Sequence, residues 1–252
     1  MKTRAGLALV FCIPVLSLLI IPLMPRPLFY MQPPIRDTVV DDRGKSVAGT
    51  VVVAIWRAEE GWFQAHGARP LDRQMAITDD KGEFTLPGWT RRWNAWGLNR
   101  RVLKTDQPEI VMYKFGYVPT LVVNNLKNTS KSLLIWQIEG PLVLKTLTGS
   151  PTDAYKAFSD HVGVLNPTMP SLFIGCEWQK FKPLFVEFDK QEQVAEQLGL
   201  IVRLEGEPVR PWYAKAEDNF KLQFPDRKPD CPGATEWLES ERLKRKNGMS
   251  SD

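Results

Sequence analysis

Between residues 38 and 145 the chain alternates short runs of β-branched and aromatic residues with turn chemistry. No other feature restricts the fold as tightly. The runs fall at 38–40, 50–56, 75–78, 83–86, 109–114, 120–123, 133–137 and 142–144. Between them stand DDRGK (41–45), DDKGE (79–83), LPGW (86–89), KFGY (114–117) and EGP (139–141). Aspartate side chains bind the backbone of turns, and glycine supplies positive φ without steric cost. Seven or eight short strands at this spacing predict a mainly β fold, an antiparallel β-sandwich over 38–145.

Residues 5–24, AGLALVFCIPVLSLLIIPLM, carry no charge. About 20 apolar residues match the hydrocarbon thickness of a bilayer. Lys2 and Arg4 precede the segment, and residues 1–24 contain no acid. That asymmetry puts the basic end in the cytoplasm and the rest of the chain outside it. Residues 1–24 are therefore an N-terminal transmembrane anchor or a signal peptide, and the protein is expected in a membrane or secreted. The run ends IIPLMPRPLFY without a small-residue cleavage pattern, which argues for retention. Phe11 before Cys12 argues against a lipid-attachment site. Residues 25–37, PRPLFYMQPPIRD, read as a Pro-rich linker, extended and stiff.

From residue 150 the pattern turns helical. Ser150-Pro151 is a cap followed by a first-turn proline, and Ala154, Tyr155, Phe158 and Val162 recur at helical spacing. A second helix places Phe181, Leu184, Phe185, Phe188 and Leu198 on one stripe, with Pro183 near its start and Gly199 at its end. ATEWLESERLKRK (234–246) is a third, with basic residues where the helix dipole favours them. Residues 150–252 thus form a helix-containing C-terminal extension.

Charge excludes little but decides one point. The net charge is +4, and only +2 without Lys2 and Arg4. That is too small to argue for nucleic acid as a partner. In an oxidising compartment Cys176 and Cys231 read as a disulfide. It would enclose 54 intervening residues and contribute about 4 kcal/mol in the loop-entropy picture; two free thiols are the alternative. CxxC, HExxH and GxSxG are all absent. Asp160 and His161 are helix neighbours that do not face one another, and His66 stands in a loop with no evident partner. No catalytic constellation, metal set or cofactor site is legible.

Three stretches together carry a resemblance. VVDDRGKSVAGTVVV (39–53), TDDKGEFTLP (78–87) and MYKFGYVP (112–119) are similar, in order and spacing, to the carboxypeptidase regulatory-like family. Its members have a transthyretin-like sandwich. The resemblance covers about 90–100 residues and implies a bacterial envelope protein and a non-enzymatic domain. In zinc carboxypeptidases such a domain is an accessory to the catalytic one. Some transthyretin-like proteins hydrolyse a purine-derived ring, but their terminal Tyr-Arg-Gly is not here. The resemblance implies that Asp79, Asp80 and Gly82 form a structural turn, as does Gly116. Calcium is the alternative for Asp79, Asp80 and Glu83, and it fails on ligand spacing.

One stretch exceeds a structural reading. PGWTRRWNAWGLNRRVLK (87–104) holds Arg91, Arg92, Arg100, Arg101 and Lys104 and no acid. Trp89, Trp93 and Trp96 would share one face of a helical turn. Trp and Arg are the residues richest in interface hot spots. The expectation is a contact surface for a protein partner in the cell envelope, with lipid headgroups or a glycan as alternatives, or a hydrolase served in trans. The opposing reading is that the tryptophans close one end of the core. Trp56, Trp62 and Phe63 come from the preceding loop and are expected beside them.

Overall fold

A computed structural model describes residues 29–60, 66–92, 101–103, 107–124, 135–162, 177–200 and 233–247. The strands among them are β1 (Phe29–Gln32), β2 (Ile35–Asp41), β3 (Val51–Glu60), β4 (His66–Ile77), β5 (Glu83–Leu86), β6 (Trp89–Arg92), β7 (Arg101–Leu103), β8 (Glu109–Tyr113), β9 (Thr120–Val123) and β10 (Leu142–Leu144). Three helices follow, α1 (Pro151–Val162), α2 (Lys182–Gln197) and α3 (Ala234–Lys246). The fold is mainly β with antiparallel sheets, as the turn spacing predicts.

The strands form three sheets. The largest runs β4-β3-β8-β9, with β7 continuing the β8 side of β3. A second runs β10-β2-β5, and a third pairs β1 with β6. The strand count exceeds seven or eight, and the pairing is not wholly antiparallel, because β10 lies parallel to β2. The reason is the return path of the chain. Asn124, at the end of β9, donates through Nδ2 to the carbonyl oxygens of Gln107 (2.8 Å) and Ile135 (2.9 Å). The chain therefore starts back from the end where β2 begins. The Trp136 indole N–H then donates to Asp37 Oδ2 at 2.9 Å and lays the segment along β2.

The expected strand over 133–137 does not form in its described part, 135–137. The Gln137 amide donates to the Asn124 side chain instead (3.0 Å). The expected linker over 25–37 is corrected as well. Phe29–Gln32 and the residues from Ile35 onward are strands, and Tyr30 and Ile35 are buried. Their prolines, 33 and 34, fall between the two strands, where no ladder donor is lost.

β3 begins VVVAIW, an apolar run with no alternation. Such a run suits a strand covered on both faces. Val52, Ala54 and Trp56, with Ile110 and Met112 of β8, face Ile35, Val39, Phe84, Leu86, Leu142 and Leu144 of the second sheet. Val51, Val53 and Ile55, with Val111 and Tyr113, face Phe158 of α1, Phe181, Leu184, Phe185 and Phe188 at α2, and Leu238 of α3. The C-terminal helices are thus the third layer of one body rather than an appendage to it.

The helix boundaries follow local chemistry. Ser150 Oγ accepts the Asp153 amide (3.2 Å), and the Asp153 carboxylate accepts the Ser150 amide (3.1 Å) and hydroxyl (2.7 Å). This reciprocal pair closes the first turn of α1 and holds the Asp153 carboxyl below its usual range. Gly199 (φ 68°) ends α2, where its amide donates to Glu196 O and the Leu200 amide to Ala195 O. Leu198 departs from the expected apolar stripe and is 47 % exposed, because it already lies in that closing turn. The basic residues of α3 do more than complement a dipole. Arg242 Nε (2.6 Å) and Arg245 (2.7 Å) both donate to the fully buried carboxylate of Asp189 on α2.

Candidate contact surface

The two DDxG turns adopt the same form. Asp41 Oδ1 accepts the amides of Arg43 (2.9 Å) and Lys45 (2.8 Å), and Asp79 Oδ1 accepts those of Lys81 (2.9 Å) and Glu83 (2.8 Å). Gly44 and Gly82 follow at φ 77° and 76°. One oxygen of the Asp79 carboxylate, Oδ1, is thus engaged by two backbone N–H groups. Asp80 is exposed in the same turn. Gly116 has φ 87° and its carbonyl accepts the Leu147 amide (3.0 Å). Among the described residues no three His, Cys, Asp or Glu side chains gather as a metal site.

These tight turns all lie at one end of the molecule, where β2 finishes and β3 starts. At the opposite end four connections between the described strands run to five residues or more, 61–65, 93–100, 104–108 and 124–141, beside the two-residue links 33–34 and 87–88. The registers bring their bases together. Glu60, the last residue of β3, pairs with both His66 of β4 and Arg101 of β7. On the neighbouring ladder Phe29 pairs with Arg92, Tyr30 with Arg91, and Gln32 with Trp89. The two ladders are joined by Trp56, whose indole N–H donates to the buried Gln32 side chain (3.2 Å). Asn124 and Ile135 bracket a further connection beside Gln107. Arg57 strengthens this end through Glu109 (2.9 Å) and the Gln107 side chain (2.8 Å).

The predicted surface residues divide accordingly. Trp89 is half-buried and meets Trp56 edge to face, ring centroids 5.5 Å apart. Its indole N–H is enclosed without a hydrogen-bond acceptor among the described residues. Trp89, Arg91 and Arg92 form strand β6, so the helical face expected for the three tryptophans does not begin there. A strand sends alternate residues to opposite faces. Arg101 opens β7. Trp93, Trp96 and Arg100 lie outside the described residues, as do Lys104, Trp62, Phe63, Cys176, Cys231 and the apolar segment 1–24. No helix among the described residues is long and apolar enough to cross a membrane.

Sequence reading did not anticipate that residues 29–32 pair with the basic stretch. The signal was FYMQ, an aromatic run between two proline clusters. Nor did it anticipate the groove of about 550 Å³ where α2 and α3 meet the β3–β4 edge. Val51, Ile77, Val186 and Trp237 line it, with Lys182 and Lys244. The Lys182 ammonium lies 5.0 Å from the Trp237 ring centroid, and Lys244 pairs with Glu241 at 2.8 Å.

No protein-family model matches the chain, and no curated protein matches it. Among solved structures, a chlorocatechol 1,2-dioxygenase from Pseudomonas putida is similar over 49 % of this chain and 62 % of its own, at 16 % identity and TM-score 0.29. A 3-chlorocatechol 1,2-dioxygenase from Rhodococcus opacus 1CP gives 17 % identity and TM-score 0.26, over 48 % of this chain and 61 % of its own. A catechol 1,2-dioxygenase from Pseudomonas arvilla C-1 gives 14 % and 0.27, over 50 % and 55 %. The chain spans less than two thirds of the length of each, and overlaps this partial carry no function across.

Proposed function

We propose that the chain is a non-catalytic binding protein of a bacterial cell envelope. Residues 1–24 hold it at the inner membrane, with the remainder on the extracytoplasmic side. Its body is a transthyretin-like sandwich of the carboxypeptidase regulatory-like kind. Its contact surface is the end from which the long connections emerge.

The observation that carries this reading is the pairing of Phe29 with Arg92. It ties the start of the globular part to the base of the basic, tryptophan-rich stretch. Two further observations support it. The motifs similar to the family occupy its turns, at Asp41, Asp79 and Gly116. The buried charge of Asp189 is a strut between helices, not a group open to a substrate.

Photocrosslinking of the full chain in a bacterial host tests it, with Trp93→p-benzoylphenylalanine as the probe and external protease on spheroplasts as the topology readout. The chain should sediment with membranes, be cut from outside, and give an adduct to a protein, lipid or glycan. Adducts confined to its own chain, or protection from external protease, would sink the reading.

A further inference from the structure

The geometry points to a binding site for a small apolar carboxylate in the groove between α2, α3 and the open end of the β3–β4 pair. The groove lies at the tight-turn end, away from the contact surface proposed above, and does not depend on the envelope reading. Its walls follow from register and helical spacing. Val51 opens β3 and pairs with Ile77, which closes β4. Directly opposite residues of an antiparallel pair share a face, here the face turned to the helices. Lys182 and Val186 stand four apart on α2, and Trp237, Glu241 and Lys244 stand at i, i+4 and i+7 on α3. Each set therefore forms one stripe. The helices bury Val53 and Ile55 but stop short of Ile77, which is 49 % exposed. A cleft of about 550 Å³ is left open, a size at which small-molecule sites occur.

Charge selects the class of ligand. Two acids line the groove, and both are engaged. Glu241 is buried and accepts from Lys244 at 2.8 Å. Glu187 accepts the Phe115 amide (2.9 Å) and pairs with Lys190. The Gly49 amide is used by Thr78 O (2.9 Å). Lys182 differs. Its ammonium lies 5.0 Å from the Trp237 ring centroid and 6.0 Å from that of Trp178, with no carboxylate partner among the described residues. With Lys190 counted, three ammonium groups meet two carboxylates here. Of the neighbouring acids, Glu177 is paired with Arg73 and Lys180, while Asp79 and Asp80, beside Lys81, and Glu236 are exposed. A ligand for this groove needs an apolar body for Trp237, Val186, Val51 and Ile77, one anionic group for Lys182, and few other polar atoms. A carboxylate on an aromatic or aliphatic body meets that need. A peptide does not, because its amides would meet side chains already engaged. The adjoining β4 also carries Pro70, Asp72 and Arg73, which discourage strand addition.

The test is methyl and indole NMR of the full chain in phosphatidylcholine nanodiscs, with β-naphthoate as the probe and β-naphthamide as its uncharged counterpart. The acid should shift the Ile77, Val51 and Val186 methyl signals and the Trp237 indole signal saturably. It should bind about three- to tenfold more tightly than the amide, as one partly exposed charge contact allows. Lys182→Gln should abolish that preference and leave amide binding unchanged. Equal affinity for acid and amide in the parent overturns the proposal, as does a preference that survives Lys182→Gln. Shifts confined to residues outside the groove overturn it too. If Lys182→Gln disturbs signals far from the groove, Ile77→Glu decides instead, since a half-exposed position tolerates the change. It should weaken the acid more than the amide, and equal weakening counts against the proposal. Tighter binding of acetyl-Ala-Phe, with its free carboxylate, than of β-naphthoate would give the groove to a protein C-terminus and overturn the small-molecule assignment.

Discussion

Gly82 packs its α-carbon against the Val39 carbonyl. A β-carbon built on Gly82 would lie 2.4 Å from Val39 O, while the Val39 amide donates to Gly82 O at 2.8 Å. Gly44 has the same backbone conformation and open space around it. The matched turns should therefore respond differently to one substitution. Gly44→Ala should cost about 1 kcal/mol, the strain of positive φ alone. Gly82→Ala should cost at least about 2–3 kcal/mol, because backbone must also move. Chemical denaturation of the two variants compares them directly, and equal losses would refute the contact as the cause.

Tyr113 is buried between β8 and the helices, its ring 4.6 Å from that of Phe188. Its hydroxyl has no hydrogen-bond partner among the described residues. Tyr113→Phe should be neutral or stabilising by up to about 1 kcal/mol at pH 7, since an enclosed, unsatisfied group is removed. Burial, with Glu187 and Glu192 adding to it, pushes the phenol well above the usual tyrosine range. The unfolded chain then loses this proton near pH 10 while the folded chain keeps it. Stability from this group is present below pH 10 and lost as pH rises beyond it. Melting temperatures from pH 8 to 11 should fall less steeply in Tyr113→Phe than in the parent. Parallel slopes would show that the phenol is solvated.

Asp189 sits at the meeting of α2 and α3 with Arg242 and Arg245, the arginine side chains being 31 % and 29 % exposed. Removing both arginines leaves a fully buried carboxylate with the Gln193 amide (2.7 Å) but neither of these cations, whereas removing the carboxylate leaves two cations that water can reach. R242A/R245A should therefore lose more stability, about 3–5 kcal/mol, than Asp189→Leu. Urea titration of the two variants settles the order, and a reversed order would mean that Asp189 is hydrated in solution.

Ending the chain after Leu147 should unfold it. The cut strips the cover from Val51, Val53, Ile55, Val111 and Tyr113. At roughly 1.5–3 kcal/mol per large apolar side chain, that loss is on the order of 10 kcal/mol and rivals the whole stability of a domain. Circular dichroism of the 29–147 fragment against 29–247 reads the outcome. A cooperative melt from the shorter piece would show that the helices are dispensable.

Much of this architecture is legible in local chemistry. β5, β9 and β10 begin and end where the turn residues place them, since each is bounded by groups that act within a few residues. The helices are legible from Ser150, Pro183 and Gly199 for the same reason. β1, β6 and β7 are not, because their partners are supplied by distant segments: Phe29 needs Arg92, and Arg101 needs Glu60. The apolar run VVVAIW announces burial on both faces but not that one of those faces belongs to residues a hundred positions later. The basic composition of residues 87–104 is visible in the sequence. Its meeting with the start of the globular part is a fact of register alone.

That meeting has a topological corollary. Phe29 and Arg92 are 63 positions apart in the chain, so their ladder can close only after the strands between them have been gathered. A pairing at the margin of the fold that depends on so long a return should be among the first to open when the structure loosens.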